Sequence, residues 1–414
     1  MLNHRWILTA AAPALIALAA TRTARAEPSA TELDAVAQRV IAQERVAGAS
    51  VLVVHRGKVI LHKGYGHADL GLEAPTRDET VYHVVGPMLP FTGIAVMQLV
   101  ERGKLSLDDD LSRHVPEFPM QGHRATIRQL LNHTSGIVDY HYLGDPIEAT
   151  SRQPKALDEV MALYAGKKWV NEPGKKWDWS ISGFQLLVTI VERASGMSFA
   201  DYVQNNIIAP AGVKSTTYCD DLSLVRGLSH AYRHYENRFV PAHENDMAYN
   251  ADLRFCSTVG DLYQLWTAIA DKKLVEPRSF AMMSTAEGPA AHASPRDPKA
   301  AYGFAMMLNS EDDHRRIGQH GSLFGYSGSL YDFPDDKLTI VVLTNTEGQN
   351  AYAIRPPRRP PSRAACPTSQ SPPPSAASSP APSSSSSSTS PIACTTRSRS
   401  TAGPTASSTR TAAS

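Results

Sequence analysis

Apolar residues recur at helical spacing near the start of the chain, where Ser29 and Thr31 are cap candidates and Leu33, Val36, Val40 and Ile41 share one face. Two β-branched runs follow, 49–55 (ASVLVVH) and 58–64 (KVILHKG), joined by Arg56-Gly57, a two-residue hairpin signal. From about residue 91 to 270 the pattern turns helical. Ile94, Val96, Met97, Leu99 and Val100 precede Glu101-Arg102-Gly103, and further helical runs fall at 186–191 and 262–270, with Pro and Gly in the loops between. Strand character returns at 305–308, at 328–333 and at 337–344 (KLTIVVLT), the last after the turn Pro334-Asp335-Asp336. The pattern predicts an α/β fold of the α+β kind: an antiparallel sheet from both chain ends, flanked by helices, around a large and mostly helical middle region.

The two ends of the chain read differently. Residues 1–26 carry an early cation, Arg5, an apolar stretch at 6–20 and then Ala24-Arg25-Ala26, which fits a secretory signal with a small-x-small cleavage site. A mature chain starting near Glu27, periplasmic or extracellular, is the expectation. The apolar stretch is shorter than the roughly 20 residues a membrane span needs. Thr21, Arg22 and Arg25 also suit a membrane edge poorly, so no span is expected after cleavage. Residues 351–414 are dominated by Pro, Ser, Ala, Thr and Arg, with six consecutive serines at 383–388, and have too little apolar surface to offset the entropy of ordering. They are expected to be a disordered tail. The same composition arises when a GC-rich coding sequence is read out of frame, so a frameshift scar is a second reading.

Between these ends, 27–350 is long enough for one large domain. The leader holds three Arg and the tail seven, neither with any acid, which leaves 31 basic and 40 acidic residues in 27–350, a net of −9. A surface this acidic is a poor partner for phosphate backbones, which argues against nucleic acid. Only Cys219 and Cys256 fall in this region. A bridge between them is redox-permitted after export, but spacing does not place their Cβ atoms together, so two unpaired thiols are the expected state and core packing the default role of Cys256.

Four strings carry a family likeness: 80–109 (TVYHVVGPMLPFTGIAVMQLVERGKLSLDD), 130–136 (LLNHTSG), 173–187 (PGKKWDWSISGFQLL) and 333–345 (FPDDKLTIVVLTN). In order and spacing they resemble the serine β-lactamase and penicillin-binding-protein superfamily, in its branch of Tyr-type β-lactamases, D-alanyl-D-alanine peptidases and esterases. The resemblance spans most of 30–350. It implies a Ser nucleophile with Lys three residues later on one helical face, a Tyr-x-Asn loop for proton handling, and a Lys/His-x-Gly strand beside the oxyanion site. No cofactor and no metal are expected.

At the matching positions those side chains are absent. The nucleophile falls on Gly86 and its lysine on Leu89; the tyrosine falls on Trp179, which offers only an N–H donor, and the asparagine on Ile181. Counting back six residues from Gly325 places the cation on Gln319, with Gly321 as the small residue, while a slip of one would place it on His320. Four polar groups lost from two motifs point to relaxed selection on one shared task. Three functional readings follow. The chain is a degenerate hydrolase that still binds a small-molecule or peptidoglycan-derived ligand, a β-lactam or an ester fragment reversibly. It is a hydrolase with replacement groups, Ser180 and His320. Or it is a non-enzymatic interaction protein or decayed gene product. Ancestral substrate and oligomeric state are not encoded in these motifs.

Bland roles are expected elsewhere. Ser180 reads as a loop hydroxyl on backbone and His133 as a structural loop histidine. His230 and His234 have i, i+4 spacing but lack a third ligand pattern for metal. Asp108-Asp109-Asp110 reads as a helix-start and solvent feature. Ile354 runs into Arg355-Pro356-Pro357 where the family places a helix over the sheet, so an uncovered apolar sheet face is expected.

Overall fold

Ser29 starts the first helix through a capping box: its Oγ accepts from the Glu32 N–H while the Glu32 carboxylate accepts from the Ser29 N–H. The helix, α1, spans Ala30–Gln43 and buries Leu33, Ala37, Val40 and Ile41. The hairpin signal also holds. Arg56 and Gly57 both have positive φ, 52° and 76°, the primed-turn geometry that matches strand twist, between β1 (Gly48–His55) and β2 (Lys58–Asp69). The computed structural model describes residues 29–143, 156–219, 224–242, 254–271, 273–294, 299–311 and 314–348. The expected leader at 1–26 and tail at 351–414 lie outside the described residues.

The main sheet has eight strands in the order β3-β2-β1-β13-β12-β11-β10-β9. Besides β1 and β2 these are β3 (Ala74–Pro75), β9 (Ala301–Tyr302), β10 (Met307–Glu311), β11 (His314–Leu323), β12 (Tyr326–Phe333) and β13 (Leu338–Thr344). Its ladders from β2 to β9 are antiparallel, and β1 from one chain end pairs with β13 from the other, Ala49 opposite Thr344 through His55 opposite Leu338. That is the antiparallel sheet from both chain ends expected from the sequence, although the sequence pattern does not predict β3, β9 or β11. The strand expected at 305–308 begins at Met307, because Ala305 takes a positive φ of 61° and Gly303 N–H closes a turn onto Met306 O.

Both faces of the sheet are buried. Ala49, Val51, Val53, Tyr331, Phe333, Ile340 and Val342 pack on one face with Leu33, Ala37 and Ile41 of α1. Leu52, Val54, Leu330, Val341 and Leu343 point to the other face, into the larger core. β1 and β13, buried on both faces, therefore read as continuous apolar runs rather than an alternation. The expected uncovered face is not seen at these positions, because α1 lies over them.

The middle region supplies the larger core through three long helices, α2 (Leu89–Glu101), α3 (Ile181–Ser195) and α4 (Val259–Ala270). α2 is buried along nearly its whole length; its one buried amide, Gln98, donates to Asn206 O and Leu274 O. The region also holds a small sheet, β4 (Tyr82–His83), β8 (Phe255–Ser257) and β5 (Thr217–Tyr218), and a hairpin of β6 (Tyr232–Tyr235) with β7 (Arg238–Pro241). Among the described residues no helix is long and apolar enough to cross a membrane.

The expectation of two free thiols is corrected: Cys219 and Cys256 form a disulfide, with Cα atoms 5.7 Å apart. Pairing of β5 with β8, Thr217 opposite Cys256 and Tyr218 opposite Phe255, brings the two cysteines together across 37 residues of sequence. Spacing along the chain carries no trace of that contact.

Leu343 sits at the centre of the core face of β13 and is fully buried. Leu343→Ala is expected to cost about 2–5 kcal/mol, read as a lower urea midpoint with an unchanged slope.

Candidate functional site

The segment joining β4 to α2 carries Gly86 and Leu89. Gly86 has φ of +89°, a left-handed conformation that glycine adopts without strain, and its carbonyl accepts from the Leu89 N–H at 2.9 Å. A Cβ on Gly86 would lie closer than 3.0 Å to Gly321 N and to the carbonyl carbon and oxygen of His320. The converse holds too, since a Cβ on Gly321 would fall 2.8 Å from Gly86 N and 2.9 Å from its Cα. Two glycines thus let the helix-start segment touch β11 backbone to backbone. Leu89 is fully buried in the core, as a leucine in this place must be.

The second element leads into α3. Ser180 is its N-cap: Oγ accepts from the Gly183 N–H, and the Ser180 N–H donates to His133 Nδ1 at 3.2 Å. That is the ordinary capping role of a serine ahead of a helix. Ile181 is buried, and its N–H donates to Asp139 Oδ2. Trp179 is half-buried, with its ring 4.3 Å from that of His133 and edge-on to Tyr302.

On β11, Gln319 and His320 point to opposite faces. Gln319 is fully buried; its Nε2 donates to Tyr302 Oη at 2.8 Å and its Oε1 accepts from the His320 N–H. It therefore faces the His133, Trp179 and Tyr302 cluster. The His320 ring meets Tyr331 Oη on the α1 face. Gln319, not His320, shares the face of β11 that Gly321 presents to Gly86. Ser180 and His320, paired in one of the functional readings, are committed to different partners on different sides of β11.

His133 is the centre of this region. Its ring is within 5.0 Å, centroid to centroid, of Trp179, Phe184 and Tyr302, and Nδ1 accepts from Ser180. Burial outweighs the nearby Asp139 carboxylate and pushes its pKa down to about 3, so the ring is neutral at pH 7. Nε2 of His133 and Nε1 of Trp177 have no hydrogen-bond partner among the described residues. Asp139 and Tyr302, which hold the loop and the Gln319 amide, escaped the sequence reading; each is a lone polar residue in a loop or a two-residue strand, with no periodicity around it.

Other candidates sit apart. His230 is exposed beside Asp69, and His234, on β6 rather than a helix, meets Arg45 O, so the two do not face one another as i, i+4 helical residues would. Asp108, Asp109 and Asp110 pair with Arg128, Arg113 and Arg124, and Asp110 caps the short helix Leu111–His114.

The geometry has a counterpart in known proteins. The Beta-lactamase family model matches residues 33–365, most of the chain. The chain belongs to the beta-lactamase family. Among curated proteins it is 29% identical to penicillin-binding protein 4* of Bacillus subtilis, over 73% of this chain and 69% of that one. It is 25% identical to protein flp of Staphylococcus aureus over 77% of this chain but only 63% of that protein, less than two thirds of its length. Among solved structures, the octameric penicillin-binding protein homologue from Pyrococcus abyssi superimposes with a TM-score of 0.68 at 25% identity, covering 78% of this chain and 75% of the other. The D-amino acid amidase of Ochrobactrum anthropi shares the fold, with a TM-score of 0.67 at 18% identity over 78% and 95% of the two chains. Of the positions matched by motif spacing, Gly86 and Gly321 meet backbone to backbone, and Trp179 and Gln319 each meet Tyr302.

The buried His133 also sets a pH dependence. Its folded pKa of about 3 lies below the unfolded value of about 6.5, so the unfolded chain binds the extra proton first and stability falls as pH drops through that window. The melting temperature is expected to decline below about pH 6.5 and to decline less steeply in His133→Asn; equal slopes for the two proteins would remove His133 as the cause.

Proposed function

We propose that this chain is an exported member of the beta-lactamase family that has lost acyl-enzyme chemistry and keeps the family fold as a binding scaffold. One observation carries the reading: the volume that a nucleophile side chain would need at Gly86 is filled by the His320–Gly321 backbone. Leu89 supports it, since a leucine neither accepts nor donates a proton where the family uses a lysine. So does Gln319, whose amide is spent on Tyr302 and on the His320 N–H. Without nucleophile and base, turnover in a comparable serine hydrolase drops on the order of a millionfold. The basic and apolar leader with Ala24-Arg25-Ala26, together with the Cys219–Cys256 disulfide, supports export to an oxidising compartment.

What remains for ligand contact is aromatic. Trp177 and Trp179 are half-buried beside Tyr302, and the Trp177 Nε1–H, buried and without a partner among the described residues, becomes a donor for a carbonyl or carboxylate once its ring shifts toward a ligand. This favours weak, reversible binding of a peptidoglycan stem, β-lactam or ester fragment. A flat thermal-shift titration across such ligands would remove the binding half of the proposal.

The chemical half is tested by intact mass spectrometry of the full chain after incubation with a reactive penicillin and, separately, a fluorophosphonate. No adduct is expected. Gly86→Ser/Leu89→Lys is also expected to stay unlabelled and to melt lower than the parent, because a side chain at 86 must take positive φ and displace β11. Labelling of the parent at Ser180, or of the double variant at position 86, would overturn the proposal.

A further inference from the structure

The disulfide has a third neighbour. His83, on β4, is buried and its Nδ1 lies 3.4 Å from Cys219 Sγ and 3.5 Å from Cys256 Sγ. The three potential ligand atoms all fall within 4.8 Å of one another, and all three residues are buried. They come from three separate segments, β4, the residue after β5, and β8, which the small sheet holds in register. Two sulfurs and an imidazole nitrogen are the donor set that soft cations prefer.

We propose that, when its two cysteines are reduced, the Cys219–Cys256–His83 cluster is a binding site for a thiophilic d10 cation, Cu(I) or Zn(II). The distances favour it. A metal with bonds of about 2.3 Å to sulfur and about 2.0 Å to nitrogen needs sulfur and nitrogen about 3.6–3.8 Å apart, close to what the imidazole already keeps from each sulfur. The main adjustment is separation of the sulfurs, which side-chain rotation supplies. The His83 ring lies tilted against Tyr326, 5.2 Å between centroids, which helps to hold its position. Three protein ligands match three-coordinate Cu(I); two thiolates match the charge of Zn(II), which then needs a fourth donor.

Oxidised and metal-bound states exclude each other. A dithiol reductant supplies two electrons and two protons to the S–S bond, leaving two thiols and its own disulfide; the cation then displaces the thiol protons to solvent. A newly made chain passes through the reduced state before any bridge forms, so the cation and the disulfide compete for the same sulfurs. The choice bears on the family site, because His83 lies three residues before Gly86 on the segment that abuts β11.

The test uses the full chain carrying Cys366→Ser/Cys394→Ser, so that only the buried pair can respond. Reduced anaerobically and desalted, it is titrated with Cu(I) against bicinchoninate and with Zn(II) against a chromogenic zinc chelator. One equivalent of one cation is expected in the reduced protein, none in the oxidised protein, and loss of uptake in Cys256→Ala and His83→Ala. X-ray absorption of the loaded, otherwise unmutated pair reports the shell directly, with two sulfurs and one nitrogen expected. Circular dichroism confirms that each sample is folded. A folded, reduced protein that takes up neither cation sinks the proposal, as does uptake that survives Cys256→Ala or an absorption shell without sulfur.

Discussion

The antiparallel ladder between β1 and β13 is the contact on which the rest of the molecule depends. It joins residues about 290 positions apart, from Ala49 opposite Thr344 to His55 opposite Leu338, and so closes the whole middle region as one long excursion between the two chain ends. Loop closure on that scale is costly in entropy. The cost is offset by burial on both sides of the ladder: Val51, Val53, Ile340 and Val342 against α1, and Leu52, Val54, Val341 and Leu343 against the helical core. Because side chains alternate along a strand, a slip of one residue would exchange these two sets. Register is therefore tightly specified at the centre of the sheet, and β12 and β11 inherit it outward.

That inheritance sets the site. β12 carries Gly328 against Val85 and Pro87, and β11 carries Gly321 against Gly86, so the strand order brings the α2 start and the β11 backbone together whatever side chains they bear. In an active enzyme of this architecture the contact must leave room for a side chain and a tetrahedral intermediate. Here, glycine at both 86 and 321 lets the two backbones meet. Leu89, Ile181 and the buried Gln319 amide then complete an interior with few polar demands, and Asp139, Ser180 and Ser182 are spent on backbone N–H groups of the surrounding loops.

Much of this was legible in the sequence, and the misses share a cause. The apolar runs at 49–55 and 337–344, the Arg56-Gly57 turn and the helical stretches within α2, α3 and α4 announce themselves through periodicity and turn chemistry, which are local signals. β11 does not: HRRIGQHGSL is polar and glycine-containing, and it is a strand because β12 and β10 hydrogen-bond to it on either side. The disulfide, the roles of Asp139 and Tyr302, and the coverage of the sheet by α1 are likewise long-range facts. At the site, motif spacing singled out Gly86, Leu89, Trp179, Ile181 and Gln319 as candidates, and the pleat, which sends neighbouring side chains to opposite faces, puts Gln319 rather than His320 on the face of Gly321.

The substitutions at the site also make physical sense together rather than one at a time. A lysine at position 89 would be a buried cation, tolerable only with polar partners around it to satisfy its charge. Once one of those partners is gone, the remaining charge is a liability of several kcal/mol, and a leucine at the same place gains about 1.5–3 kcal/mol from burial instead. Under the proposed loss of acyl-enzyme chemistry each replacement favours the next, toward an interior with fewer polar demands. His133 is held by packing: burial keeps it neutral, its Nδ1 accepts the Ser180 N–H, and its ring fills the space between Trp179, Phe184 and Tyr302, so the α3 entrance requires it.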